Sequence, residues 1–167
     1  YSAAYRFFKK PEYLKLADRA YNYIVEKFYD PKNVGVYWMV DKTGKTLNTR
    51  NQIFGLAFAA AVLAEYYRAT EKKEALDIAM KLFDSIEKHS LDPKYNGYLD
   101  AFSQDWAVLQ DMRLSPTDKN EPKTMNTHLH ILIGYACLYR VHKDERVCKA
   151  LKNLIELFFD KIIDTER

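Results

Sequence analysis

Apolar residues recur at i, i+3, i+7 and i+10 in three stretches of the chain, which is the spacing of one helix face. The stretch beginning at Glu12 (EYLKLADRAYNYIVEKFYDPKNVG) aligns without a gap on the one beginning at Glu74 (EALDIAMKLFDSIEKHSLDPKYNG). Leu14 falls on Leu76, Ala17 on Ala79, Ile24 on Ile86, Asp30-Pro31-Lys32 on Asp92-Pro93-Lys94 and Gly35 on Gly97. A weaker third copy begins near Glu145, with Val147, Ala150, Leu154 and Leu157 in the equivalent places. Each helix is predicted to end at its Asp-Pro step, because a residue before proline avoids helical dihedrals. The glycine that follows is predicted to take positive φ in the turn.

A second kind of helix alternates with the first. The segments Gln52 to Thr70 and Thr127 to His142 are apolar nearly all round, so they are predicted to be buried on most sides. Tyr5-Arg6, Tyr67-Arg68 and Tyr139-Arg140 each close such a pattern and are followed by a short polar turn and a new helix. Between the helices, Val36 to Val40 alternates and is followed by the turn Asp41-Lys42-Thr43-Gly44, which reads as a small hairpin. The fold class is therefore all-α, built from helical hairpins with short β-hairpin loops. No single hairpin covers its own apolar face, so the units must stack as an open solenoid or a closed ring. Tyr1 to Phe8 already reads as the middle or end of a helix with no cap before it. We therefore expect the chain, residues 1–167 as a single domain, to be a piece of a longer protein or to pair as a homodimer.

Composition narrows the function. Apolar residues make up 48% and charged residues 29%, enough to build a core. The net charge of +3 is spread along the chain with no run of Lys and Arg, so nucleic acid is not an expected partner. No stretch is long and apolar enough to span a bilayer, so no membrane is expected either. Cys137 and Cys148 stand outside any CxxC pair, which reads as two thiols in a reducing, cytoplasmic compartment. The four histidines lack HxxxH or HExxH spacing, so neither metal nor cofactor is expected. His89 and His142 fall at helix ends, where a cation suits the dipole. Asp111, Asp118 and Glu121 are open to two readings, paired carboxylates of a glycosidase or turn and cap residues, and a polar loop favours the turn for Asp111 and Glu121.

The loop Leu91 to Lys123 exceeds ordinary connections, and long ordered loops at one end of a repeat scaffold tend to carry function. Its later part and the helix after it read Asp111-Met112-Arg113-Leu114-Ser115, then Asp118, Asn120, Lys123 and Met125-Asn126-Thr127-His128-Leu129-His130. With Tyr37 to Asp41, Ala57-Phe58 and Glu65 to Thr70, this text resembles the cellobiose 2-epimerase branch of the N-acylglucosamine 2-epimerase superfamily along almost the whole chain. The resemblance implies an (α/α)6 barrel, of which this chain is the early-to-middle part. It implies cofactor-free epimerisation at C2 of the reducing-end sugar of a mono- or disaccharide. His130 would be the general acid/base, and Asn126 and Asp118 would support the substrate.

The family tends to show Tyr where Phe54 stands, Gln where Leu56 stands and Glu where Ile133 stands. Phe54 is thus an expected substrate contact of altered polarity. Among Trp38, Trp106, Tyr95, Tyr98 and Phe102, Trp106 is retained as a stacking platform for a sugar ring. An earlier arginine, a later His-x-x-Glu and a later histidine that the resemblance implies do not map onto this sequence, so the isolated chain is expected to be inactive or nearly so. The alternative is a truncated, non-catalytic helical-repeat module that binds carbohydrate or a partner. A histidine suits the chemistry because its ordinary pKa of about 6.5 lets it serve as base and then as acid near neutrality. Asn126 and His130, four residues apart, share one helix face, whereas His128 points elsewhere.

Overall fold

Helices α1 (Ser2–Phe8) and α2 (Pro11–Tyr23) form the first hairpin, α3 (Ile53–Thr70) and α4 (Lys73–His89) the second, and α5 (Met125–Val141) and α6 (Glu145–Lys161) the third. The structure, a computed structural model, describes residues 1–164. The apolar stretches α3 and α5 lie side by side, with α1 on the other flank of α3. The amphipathic helices lie behind them, α4 on α3 and α6 on α5. The expected all-α class of stacked hairpins holds, in two layers. Ile53, Leu56, Ala57, Ala60, Leu63 and Ala64 of α3 are all buried, whereas α4 buries only the stripe Ala75, Ile78, Ala79, Leu82, Phe83 and Ile86. Small residues let α3 and α5 approach closely, and a Cβ added at Gly134 would lie 2.6 Å from the Ala57 carbonyl oxygen. Among the described residues no helix is long and apolar enough to cross a membrane.

The Tyr-Arg repeat acquires a physical meaning here. Tyr5 and Tyr67 give their carbonyls to the N–H of Lys9 and Glu71, which turn the chain in the left-handed region (φ 56° and 60°). The three arginines converge on one carboxylate. Glu65 receives Arg6 at 3.2 Å, Arg68 at 3.5 Å and Arg140 at 3.2 Å, one from each inner helix. Removing it would leave three neighbouring guanidinium groups with no counter-charge. Glu65→Ala is expected to lower stability by about 1–2 kcal/mol, between the value of a surface pair and that of a buried one. The loss should grow at low salt. Urea titrations at two ionic strengths check both statements.

All the long loops lie at the N-terminal ends of α3 and α5. The first begins with a π-helical turn, Ile24–Phe28, that continues α2. Strand β1 (Tyr29–Asp30) then pairs with β2 (Gly35–Val36), β3 (Met39–Val40) with β4 (Thr46–Asn48), and β5 (Asn51–Gln52) with the distant β6 (Ala101–Phe102), all antiparallel. The helix predicted to reach Asp30 thus stops earlier. The Asp30 carboxylate organises a turn instead, accepting the N–H of Lys32 at 3.0 Å and of Asn33 at 3.3 Å. Asp92 does the same for Lys94 and Tyr95 at 2.9 and 3.2 Å, so the repeated Asp-Pro-Lys is one turn used twice.

The glycine prediction is half right. Gly97 has φ 76°, but in the first copy the positive φ falls on Val34 (54°). Gly35 is needed for a different reason, since a Cβ there would overlap Asn51 Oδ1. That buried amide joins three segments, accepting from Val36 N–H at 3.1 Å and donating to Ser103 O at 3.1 Å.

Candidate active site

Helix α5 starts on a buried polar frame. Thr124 is its N-cap and accepts from Thr127 N–H at 3.2 Å. Beneath it, the Asp100 carboxylate accepts Thr124 N–H at 3.1 Å and the Thr124 hydroxyl at 2.6 Å. The Asp100 carbonyl also receives Ile53 N–H, so one residue ties the first turns of α3 and α5 together. Burial pushes the Asp100 carboxyl above its ordinary pKa, against the Thr124 hydrogen bonds that favour the ion.

His128 completes the frame. Its Nδ1 faces Thr124 O at 2.7 Å and its Nε2 faces Tyr98 N–H at 2.9 Å. A carbonyl only accepts and an amide N–H only donates, so the ring is neutral with the proton on Nδ1. Burial pushes its pKa below the usual imidazole value. Folded His128 therefore refuses a proton that the unfolded chain accepts. Its stabilising contribution is present above pH 6.5 and lost as pH falls through that value toward the lowered one. His89, lowered by burial and Lys88, acts in the same direction. The urea midpoint is expected to fall as pH drops from 7.5 to 5.5, and His128→Gln should flatten that slope by up to about 1.4 kcal/mol per pH unit while lowering stability at pH 7.5.

His130 lies on a different face of the same turns. Its Nδ1 is 2.9 Å from Asn126 O, so Nδ1 carries a proton, and in the neutral ring the lone pair is on Nε2. The ring is half-buried, 4.1 Å from Phe54 and 6.1 Å from Phe58. Phe54 is in turn edge-on to Trp38 at 6.5 Å. Of the residues singled out in the sequence, the structure sets His130 against Phe54, while Asn126 meets His130 through its backbone carbonyl. Phe58, one turn along α3, joins them without having been predicted.

Asp118 and Asn126 share a small cleft of about 220 Å³ beside the cap. Asp118 also closes a turn there, accepting Ser115 N–H at 2.9 Å. Asp111 holds its loop through Arg113, which agrees with the turn reading.

Trp106, expected to be a sugar platform, is half-buried and held from within the protein. Its ring lies flat on His89 at 4.3 Å, and its indole N–H donates to Asn33 O at 2.8 Å. His89 stands in the last turn of α4, as expected, and burial together with Lys88 lowers its pKa. Leu56 is fully buried in the core and takes no part in the site, whereas Ile133 is exposed in a hollow it shares with Phe58 and Cys137. Asp100 carried no sequence signal, since it stands in a long loop without periodicity.

Paired inner and outer helices, with the long loops at one end of the inner layer, are the repeating units of an α/α toroid. The chain matches the N-acylglucosamine 2-epimerase (GlcNAc 2-epimerase) family model over residues 1–167 and belongs to that family. It is 49% identical to a cellobiose 2-epimerase of Bacteroides fragilis over 166 residues, covering 99% of this chain and 42% of that protein. A cellobiose 2-epimerase of Dictyoglomus turgidum is 35% identical with the same coverage, 99% and 42%. The solved cellobiose 2-epimerase of Bacillus thermoamylovorans superposes with a TM-score of 0.94 at 40% identity, over 99% of this chain and 42% of that one. The chain thus spans less than half the length of these relatives.

Proposed function

We propose that residues 1–167 form, as one domain, the early-to-middle part of an α/α barrel that epimerises a reducing-end aldose at C2, with His130 as general acid/base. The substrate class is a mono- or disaccharide of the cellobiose type, as the relatives' names suggest. The observation that carries the reading is the His130–Asn126 hydrogen bond of 2.9 Å, which fixes the tautomer and leaves an Nε2 with no protein partner among the described residues. Phe54 gives the ring an apolar wall, which holds its orientation and excludes water on that side.

In this reading Nε2 removes the C2 proton of the open-chain aldose while the electron pair moves into the C1 carbonyl. The Asn126 side chain, exposed on the first turn of α5, donates to the oxygen that gains charge, aided by the helix N-terminus. Returning the proton to the opposite face requires a second acid, from the rest of the barrel or after rotation of the enediol. The remainder of the barrel is the expected partner, in keeping with exposed apolar side chains at both edges, Phe7 and Phe8 on α1 and Phe159 on α6. The free thiols Cys137 and Cys148 suit a cytoplasmic protein.

The test is chromatography of cellobiose incubated with the protein carrying its complete barrel. Appearance of the glucosyl-mannose epimer supports the reading, and unchanged cellobiose would move it to a non-catalytic carbohydrate-binding module.

A further inference from the structure

A groove of about 920 Å³ lies between α4, the loop after it and α6, and neither Phe54, Phe58 nor His130 lines it. We propose that this groove is a second binding site, for a neutral oligosaccharide, distinct from the His130 site. The observations behind it are charge balance, unused hydrogen-bonding capacity and an exposed aromatic ring.

Three carboxylates, Asp84, Glu87 and Asp92, and three cations, Lys94, Arg146 and Lys149, line it. A lining with no net charge does not select a charged ligand, yet it presents donors and acceptors throughout. At its base Glu87 Oε1 takes the hydroxyls of both Tyr98 (2.8 Å) and Tyr135 (2.7 Å). Its Oε2 is left without a protein partner among the described residues, a fixed acceptor on a carboxylate that two buried rings hold in place. Asn96 and Asn153 bridge the loop and α6 by reciprocal amide hydrogen bonds of 2.8 and 3.0 Å. Each amide nitrogen keeps a second N–H with no protein partner among the described residues.

Tyr95 stands at the rim, 71% exposed, with Lys94 Nζ 4.6 Å from its ring. A pyranose has an apolar C–H face and a hydroxyl edge. It would displace the lysine from the Tyr95 face and set hydroxyls against the asparagine amides and Glu87 Oε2. The volume falls within the range of about 300–1,000 Å³ typical of small-ligand sites.

The groove is read by 15N-labelled amide spectra of the intact protein in the presence of cellotetraose or maltotetraose. The inference predicts saturable shifts at Tyr95, Asn96, Lys149 and Asn153 with at least one of the two sugars. These should be lost in Tyr95→Ala and in Asn153→Ala and kept in His130→Ala, which separates them from the epimerase site. Shifts confined to the start of α5, no saturable shift with either sugar, or groove shifts that persist in both groove variants would overturn it.

Discussion

Changing His130 to alanine is expected to slow C2 epimerisation of cellobiose by roughly two to four orders of magnitude, the span that a positioned general acid/base supplies. The fall should appear in kcat rather than KM, because the imidazole acts on a proton that moves only in the transition state. The fold should survive, since His130 is only half-buried and its hydrogen bond is to a backbone carbonyl within its own helix. His128→Ala makes the useful contrast. It removes both hydrogen bonds of the frame under α5, so its loss of activity should come with a loss of stability. Thermal melts run beside the assay separate the two, and a His130→Ala enzyme that retained its rate would remove that residue from the chemistry.

The second large effect concerns packing. Gly134→Ala places a methyl group 2.6 Å from the Ala57 carbonyl oxygen and 3.3 Å from its carbon. Both are backbone atoms of α3, so no side-chain rotation relieves the clash and the two inner helices must part. Overpacking of this kind costs about 1–3 kcal/mol, against a gain of about 1 kcal/mol from replacing glycine by alanine within a helix. We expect a net loss of up to about 2 kcal/mol, seen as a fall in melting temperature of up to about 8 °C. His130 lies one turn before Gly134, so the epimerase rate should fall as well. A melting temperature that rose instead would mean that α3 and α5 are not in backbone contact there.

The periodicity of the chain was sufficient to read the hairpins, because an amphipathic outer helix and an all-apolar inner helix leave different patterns. Helix ends were harder. The Asp-Pro step marked the turn after α2, but Asp30 organises it with its side chain, and the π-helical turn before it leaves no pattern of its own. Gly35 and Gly97 look equivalent in sequence and are not, since one is required by the nearness of Asn51 and the other by its φ. At the candidate site, His130 and Asn126 could be singled out because they share a short string, and Phe54 because it stands at the start of a recognisable helix; the structure adds that the Phe54 and His130 rings are neighbours. Asp100 and Asn51 were invisible, because their roles depend on segments about 24 and 52 residues away, brought together only by the loops. The stack of Trp106 on His89 was not legible either, because an aromatic in a loop looks the same whatever ring it meets.

The central claim, that His130 moves the C2 proton, is tested most directly by incubating the protein with its complete barrel and cellobiose in D2O and following the C2 hydrogen by NMR. The account predicts deuterium at C2 with the unmutated protein and none above background with His130→Ala. Equal incorporation by both proteins would contradict it.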